Sequence, residues 1–298
     1  MGANHEGDGF VLVRGKIKKI EDNTLYLVNL GIEDIQEDVV GLANFPHLKV
    51  LILDFNSISD VDFLKNFTDL EVLSLKNNAV SFIEPLMGFK KLRCLKLDNM
   101  YHFREGKTND NKITKLRGIG NLTGLQELSV MNNKIEDTTG IGNLKKLRYL
   151  NLHSNRIKEI EELSSLHQLE NLDLSNNLIE DTSFLKGMHG LRFLSLNNNN
   201  LSAINGFESL TNLILLGLKN NKISPRLMQK LQGLKKDGNA VDPQLFVEYS
   251  RCKNGLNPRF NIKKIMDMDG KKYHCKRCNR SHSRGAKYRD HLAHARWM

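Results

Sequence analysis

The sequence predicts an α/β-type solenoid, with parallel strands on its concave face and a short helical or irregular convex side, followed by a small ββα-like unit. Three observations predict this architecture. One leucine-based pattern recurs eight times along the chain. An asparagine follows the leucines at a fixed distance in seven of these units. The C-terminal segment from Tyr273 onward combines paired cysteines with histidines and many basic residues.

The repeat has the form L-x-x-L-x-L-x-x-N-x-I, and its interval is 22 residues in all cases but one. Each L-x-L is expected to be a short strand with inward leucines, because side chains alternate between the two faces of a strand. One unit cannot bury its own apolar face, so neighbouring units must stack into a curved solenoid. The units open at Leu48, Leu70, Leu92, Leu125, Leu147, Leu169, Leu191 and Leu213.

The repeated asparagine is expected to leave the strand and enter a turn, where its side chain can bond backbone groups. Inside a stack, such bonds satisfy polar groups whose burial would otherwise be costly. The seven asparagines are Asn56, Asn78, Asn133, Asn155, Asn177, Asn199 and Asn221.

These repeats resemble leucine-rich repeat proteins over roughly residues 22–270. The interval of 22 residues resembles the short-repeat subfamily. That subfamily includes a regulatory subunit of type-one protein phosphatase, the leucine-rich A′ component of a spliceosomal particle, and axonemal light-chain-like proteins. The resemblance implies a solenoid that binds a protein, and it does not specify which function the solenoid serves.

The two ends of the repeat array differ from its middle. TLYLVNLGI at 24–32 is expected to be a degenerate first unit that caps the stack, and FVLVRGKIKKI before it to add an edge strand. Asp242 and Pro243 are a typical N-cap and first helical residue. A closing strand is expected within 261–270, with Ile262 and Ile265 inward. The predicted boundaries are an extension at 1–23, the solenoid at 24–224, a C-terminal cap at 225–270 and the ββα-like unit at 271–298.

One interval, from Leu92 to Leu125, is 33 residues long and therefore contains an insertion, assigned to 100–110. This assignment places Met100 where the repeat asparagine is expected. Insertions in solenoids leave as loops on one face, often a binding face. A binding loop and a tolerated surface loop are both open readings of this segment.

Apolar and aromatic residues occupy several outward strand positions, and such residues on a concave surface usually mark a protein partner. The alternative is that they pack against each other along the strands. The predicted protein contacts are Val50, Ile52, Phe55, Val72, Met131, Tyr149 and Phe193.

The C-terminal segment resembles a two-Cys, two-His zinc finger. Cys275 and Cys278 have the C-x2-C spacing, His291 follows at the usual interval, and Tyr288 takes a core position. The last pair, His291-x2-His294, is one residue shorter than usual, although both side chains would still share a helix face. The predicted ligands of a structural Zn²⁺ are therefore Cys275, Cys278, His291 and His294, with His282 or His274 as alternative fourth ligands.

Charge is concentrated in the same segment. Residues 250–298 hold 14 Lys/Arg and 3 Asp/Glu, whereas residues 1–249 hold 30 and 31. This asymmetry predicts a polyanion contact, with RNA favoured, although a solubilising basic tail is the alternative. The predicted phosphate contacts are Lys271, Lys272, Lys276, Arg277, Arg280, Arg284, Lys287 and Arg289.

The sequence carries no recognisable catalytic motif, so we expect no enzymatic activity and no small-molecule substrate. Four cysteines without a disulfide framework favour a reducing compartment, and hence a cytoplasmic or nuclear protein without a membrane partner. The favoured hypothesis is an adaptor in a ribosome-associated or spliceosomal RNA–protein assembly. The alternatives are a phosphatase or cytoskeletal regulatory subunit, whose tail contacts an acidic protein, and a DNA-associated chromatin adaptor.

Overall fold

The computed structural model describes residues 8–99 and 110–254, together with the short strands β13 (Tyr273–Cys275) and β14 (Arg280–His282). The described repeats form one parallel sheet of nine strands in the order β12-β11-β10-β9-β8-β7-β6-β5-β3. Consecutive repeats thus supply neighbouring strands, as a solenoid requires. The strands are β3 (Thr24–Tyr26), β5 (Val50–Ile52), β6 (Val72–Ser74), β7 (Cys94–Lys96), β8 (Glu127–Ser129), β9 (Tyr149–Asn151), β10 (Asn171–Asp173), β11 (Phe193–Ser195) and β12 (Leu215–Gly217).

Short 3-10 helices cover the convex side, so the predicted irregular helical side is confirmed. Each lies between the turn after one strand and the start of the next. They span Leu42–Asn44, Asp62–Asn66, Glu84–Gly88, Ile119–Asn121, Ile141–Asn143, Glu161–Ser165, Ser183–Leu185 and Phe207–Ser209.

The core is a column of leucines in register. The central residue of each strand pairs with the central residue of the next, as Leu51 does with Leu73 and Leu150 with Leu172. These leucines are at most 2% exposed. Burying one leucine side chain contributes roughly 1.5–3 kcal/mol. The stack of repeats, rather than any single unit, therefore supplies the stability of the fold.

The repeat asparagines form the predicted ladder, and Asn177 illustrates its geometry. Its Nδ2 donates to the carbonyls of Leu152 and Leu174, both at 3.0 Å. Its Oδ1 accepts from the backbone N–H of Ile157 at 3.0 Å. One side chain thus satisfies three buried backbone groups and joins two neighbouring repeats.

The third unit corrects the predicted replacement of the repeat asparagine by Met100. Asn111, rather than Met100, occupies the asparagine position: its Nδ2 donates to Leu75 and Leu97 carbonyls at 2.9 and 3.1 Å, and its Oδ1 accepts from Val80 N at 2.9 Å. The insertion therefore precedes a retained asparagine. The residues on the two sides of the insertion are joined by hydrogen bonds. The Asn99 side chain accepts from Asn111 N at 2.7 Å and donates to Asn111 O at 2.8 Å. The remainder of the insertion, 100–109, lies outside the described residues.

The N-terminal segment differs from the predicted edge strand. β1 (Gly9–Val13) and β2 (Lys16–Ile20) form an antiparallel hairpin, and β1 also pairs with β4 (Val39–Val40) in a separate three-stranded sheet. The solenoid sheet instead ends at β3, which confirms the degenerate first unit. Between β3 and β4 lies the short helix α1 (Ile35–Asp38).

The C-terminal end has two helices, α2 (Pro225–Lys230) and α3 (Pro243–Lys253). Helix α3 begins at the predicted proline, and Asp242 Oδ1 accepts from Gln244 N at 3.0 Å. Gln244 also donates through Nε2 to the carbonyl of Leu213 at 2.7 Å, which ties this helix to the last repeat. The predicted closing strand with Ile262 and Ile265 lies outside the described residues.

Candidate protein-binding site on the concave face

The outward side chains of the nine strands form two columns, because neighbouring strands are in exact register with one residue inward between two outward. The first column starts with Thr24, Val50 and Val72. The second starts with Tyr26 and Ile52, which are direct neighbours. Apolar residues dominate the beginning of both columns. The second column then becomes polar, whereas the first also holds Tyr149, Phe193 and Leu215.

Five apolar side chains at this end form what we call the N-terminal concave patch: Tyr26, Val28, Val50, Ile52 and Val72. Val50, Ile52 and Val72 are partly exposed, as predicted for outward positions. Tyr26 and Val28 are 64% and 41% exposed and were not predicted as contacts. The alternation in TLYLVNLGI indicates that they point outward, since they alternate with the buried Leu25 and Leu27. The first unit therefore contributes an outward apolar face in addition to its predicted role as a cap.

Phe55 is not a strand residue, although it was predicted among the outward strand positions. It lies in the turn after β5 with a φ of 61°, in the left-handed region. Equivalent turn residues with positive φ in other repeats are asparagine or serine: Asn29, Asn77, Asn132, Ser154, Asn176, Asn198 and Asn220. A bulky side chain is disfavoured in this region, whereas asparagine tolerates it. Phe55 thus has a partly exposed aromatic side chain and a backbone conformation that is unfavourable for phenylalanine.

The remaining predicted contacts do not join the N-terminal concave patch. Tyr149 and Phe193 lie in the first column but are separated from each other by Asn171. They are 39% and 38% exposed. Arg192 lies over the Phe193 ring at 5.7 Å from its centroid, and partial burial raises the pKa of Tyr149. Met131 is partly exposed beyond the end of β8.

The middle of the concave face is a network of polar side chains. Asp98 Oδ1 accepts from Ser129 Oγ at 2.5 Å and from Met131 N at 2.9 Å. Lys76 is 3.6 Å from the other Asp98 oxygen, and Lys96 is 2.8 Å from Glu127. These side chains bond to each other across repeats. The middle of the concave face therefore exposes less apolar surface than its N-terminal end.

Asp173, Ser175 and His153 lie together, but their order is not that of a catalytic triad. Ser175 Oγ donates to Asp173 Oδ1 and is 2.7 Å from His153 Nδ1. The serine therefore stands between the two other groups, whereas a triad places the histidine between nucleophile and carboxylate. His153 Nε2 is also 3.3 Å from Asn176 Nδ2. This network links two repeats and gives no support for nucleophilic catalysis.

Cys94 lies in the first column beside Glu127. Burial, with the adjacent carboxylate, raises the pKa of the Cys94 thiol to about 12. Because the thiolate is the reactive form, a thiol with this pKa is a weak nucleophile. Cys94 is therefore a structural residue of the concave face.

The side chains of the predicted zinc ligands and RNA contacts lie outside the described part of the chain. The backbone of two segments is described there. β13 and β14 are antiparallel, with Tyr273 opposite His282 and Cys275 opposite Arg280. Within the side chains that the structure does describe, no group of three or more His, Cys, Asp or Glu could hold a metal ion.

None of the helices in the described residues combines the length and the apolar character needed to cross a membrane.

Comparison with known proteins supports the repeat architecture. The family model of leucine-rich repeats in two copies matches residues 145–187. Internalin C2 from Listeria monocytogenes is 27% identical, with a TM-score of 0.58 over 66% of this chain and 80% of that chain. The functional domain of InlJ from the same organism is 22% identical, with a TM-score of 0.50 over 68% of this chain and 45% of that one.

A third similar structure is the ectodomain of the plant receptor kinase GASSHO1/SCHENGEN3 from Arabidopsis thaliana, in complex with CASPARIAN STRIP INTEGRITY FACTOR 2. It is 27% identical, with a TM-score of 0.50 over 60% of this chain and 22% of that ectodomain. No curated protein matches the sequence at a significant level. The nine-stranded parallel sheet, the asparagine ladder and these similarities together show that the chain carries leucine-rich repeats and folds as a leucine-rich repeat solenoid.

Proposed function

We propose that this chain is a non-enzymatic adaptor in an RNA–protein assembly, ribosome-associated or spliceosomal. Its solenoid binds a protein through the N-terminal concave patch and Phe55. Its tail, from Lys271 to the C-terminus, binds RNA as a structural zinc finger. The adaptor acts inside the cell, in the cytoplasm or nucleus.

The observation that carries the protein-binding part is the patch itself. Five neighbouring apolar side chains face outward, and Tyr26 alone is 64% exposed. Aromatic and aliphatic side chains in a concave surface are the usual anchors of a protein interface. The similar plant ectodomain was solved in complex with another factor, which supports partner binding by this fold. Phe55 adds to this support, since strained residues cluster at binding sites.

The zinc and RNA part is supported by spacing, backbone pairing and charge. The antiparallel pairing of β13 and β14 supports this assignment, because a ββα finger begins with a hairpin. Cys275 ends the first of these strands, and Cys278 lies between the two strands in the sequence. We assign the zinc to Cys275, Cys278, His291 and His294, with His282 or His274 as alternatives for the fourth ligand. Phosphate contacts by the basic side chains between Lys271 and Arg289 would recognise the RNA backbone rather than a sequence.

The protein-binding part is tested by quantitative affinity purification of the full chain carrying Tyr26→Ala. We expect the main protein partner to fall at least several-fold in yield, because an exposed aromatic anchor is removed. The matched control is Phe82→Ala, which removes an aromatic ring that is 70% exposed and lies off the strands. Equal yields for both variants would refute the assignment of the patch.

The zinc and RNA part is tested by native mass spectrometry and by RNA crosslinking. The full chain is expected to hold one zinc ion, and Cys275→Ser to lose both the ion and the crosslinked RNA. Cys252→Ser makes the same chemical change outside the proposed ligands and should leave both unchanged. If a protein partner copurifies from RNase-treated extract and no RNA crosslinks to the full chain, the tail contacts an acidic protein instead.

A further inference from the structure

The charges of the solenoid are distributed unevenly, with an excess of cations along one edge. One edge is formed by the four residues that precede each strand of the eight full repeats, and we call it the basic edge. It holds eight Lys/Arg and three Asp/Glu, whereas the rest of residues 1–249 holds 22 and 28. The net charges are therefore +5 and −6 within a nearly neutral body. The segments are 46–49, 68–71, 90–93, 123–126, 145–148, 167–170, 189–192 and 211–214.

The acidic residues of the basic edge are already paired within it. Asp69 is 2.6 Å from Lys91 Nζ and 2.8 Å from His47 Nδ1, and these partners lower the pKa of Asp69. Glu71 and Glu170 lie 3.5 Å from Arg93 and Arg148 respectively. Each acid therefore offsets one cation and leaves the others uncompensated.

Other cations of the basic edge are exposed to solvent and have no charged partner within the described residues. Lys90 Nζ donates to the carbonyl of Asn121 at 3.2 Å, and Lys145 Nζ donates to that of Ser165 at 3.4 Å. A carbonyl oxygen orients an ammonium group without neutralising it. Within the described residues, no ion pair is formed by Lys49, Lys90 or Lys146, and all three are exposed.

The cations also border two open grooves between successive repeats. One groove, of about 340 Å³, is bordered by Lys90, Lys91, Arg93 and Lys146 together with Glu71. The second, of about 400 Å³, lies further along the same edge. It is bordered by Arg148, Gln168, Glu170, Gly190 and Arg192. Because repeats are spaced regularly, these grooves form a track of positive charge along one side of the solenoid.

We propose that the basic edge is a second RNA-binding surface, which contacts the phosphate backbone along the repeats. The inference deepens the proposed function and rests on it, since the tail would hold the same RNA. The groove-lining side chains are polar or charged, so the track fits a phosphate backbone better than a membrane, which would need apolar side chains to insert. RNA that reaches both surfaces would bind more tightly than either surface alone allows.

The test is a salt titration of the full chain with a fluorescein-labelled oligouridylate. The variant combines Lys49→Gln, Lys90→Gln and Lys146→Gln. Each phosphate contact on single-stranded nucleic acid contributes about 0.7 to the slope of log affinity against log salt, so the slope should fall by about 2. The matched control combines Lys112→Gln, Lys134→Gln and Lys158→Gln, which removes the same charge from exposed residues at the opposite edge. The control should keep the slope of the unmodified chain.

Three outcomes separate this inference from the proposed function. A lower slope in the edge variant alone supports the basic edge. Equal slopes for both variants, with RNA binding lost in Cys275→Ser, would contradict RNA binding by the basic edge and leave the tail as the RNA site. Binding of the unmodified chain to phosphatidylserine vesicles but not to the oligouridylate would overturn both.

Discussion

At the residue scale, Phe55 shows how a single position departs from its repeat. Seven other turn residues with positive φ are asparagine or serine, and these types accept the left-handed conformation. Phenylalanine at this position stores strain of about 1–2 kcal/mol, which the surrounding turn must maintain. This strain is the observation that supports the proposed contact of Phe55 with a partner.

Replacement of Phe55 by asparagine tests this account. Strain relief should offset most of the lost ring burial, so Phe55→Asn is expected to change the free energy of unfolding by less than about 1 kcal/mol. Recovery of the protein partner should fall. Phe67→Ala, at a side chain only 1% exposed, should instead cost about 3–5 kcal/mol. Urea denaturation measures both variants, and a large destabilisation by Phe55→Asn would mean that the ring is structural.

Cys94 gives a prediction about pH. Its pKa is raised from 9.0 to about 12, so the folded chain holds the proton where the unfolded chain loses it. The stability that this group contributes is complete below pH 9 and is lost as pH rises towards 12. At about pH 8 we expect alkylation of Cys94 by iodoacetamide to be at least about tenfold slower in the folded chain than after unfolding, because less of the thiol is ionised. Peptide mass spectrometry resolves Cys94 from the other cysteines, and equal rates would contradict the burial.

At the element scale, the asparagine ladder joins one repeat to the next. Each asparagine satisfies backbone groups in its own repeat and in its neighbour, and the third unit keeps this element despite its insertion. Asn111 makes three such bonds, as Asn177 does. The asparagine position of the third unit is therefore identified by hydrogen bonding and not by the residue count from the preceding leucine.

The substitution Asn111→Ala should be as costly as Asn177→Ala. Each leaves buried backbone groups without partners, at about 1–3 kcal/mol per group, so a loss of roughly 3 kcal/mol or more is expected. Met100→Ala should have little effect, because Met100 does not hold the ladder position. Thermal unfolding of the three variants distinguishes the positions. A costly Met100→Ala beside a neutral Asn111→Ala would instead place Met100 at the ladder position.

Sequence reasoning recovered those elements that the repeat specifies. Inward leucines and ladder asparagines recur at a fixed spacing, so the solenoid, its first unit and the start of helix α3 followed from local patterns. The hairpin β1–β2 could not be assigned to its own sheet, because pairing of β1 with β4 depends on contacts between Leu12 and Val40, distant in sequence. The exposure of Tyr26 and Val28 could not be predicted, because it depends on which residues cover a side chain, and the repeat pattern does not give this.

At the scale of the whole molecule, the two proposed functions belong to parts with different sources of stability. The solenoid is held by a leucine core and by the ladder, neither of which involves a metal ligand. The proposed finger has too few residues for a core of its own and would depend on zinc to fold. The two parts should therefore unfold independently.

Zinc removal tests this independence. After chelation, we expect residues 271–298 to lose protection from hydrogen exchange, while residues 24–224 keep theirs and the main thermal transition is unchanged. Adding zinc back should restore the protection. Loss of the main transition on chelation would show that the metal also supports the solenoid.

The most direct test of the adaptor account is sedimentation of the full chain through a sucrose gradient of cell extract, before and after RNase treatment. The account predicts that the chain sediments with large RNA–protein particles and that RNase returns it to slowly sedimenting fractions. Cys275→Ser should shift the chain to the same slow fractions without RNase. Slow sedimentation of the unmodified chain before RNase, or fast sedimentation that RNase does not change, would contradict the assignment to an RNA–protein assembly.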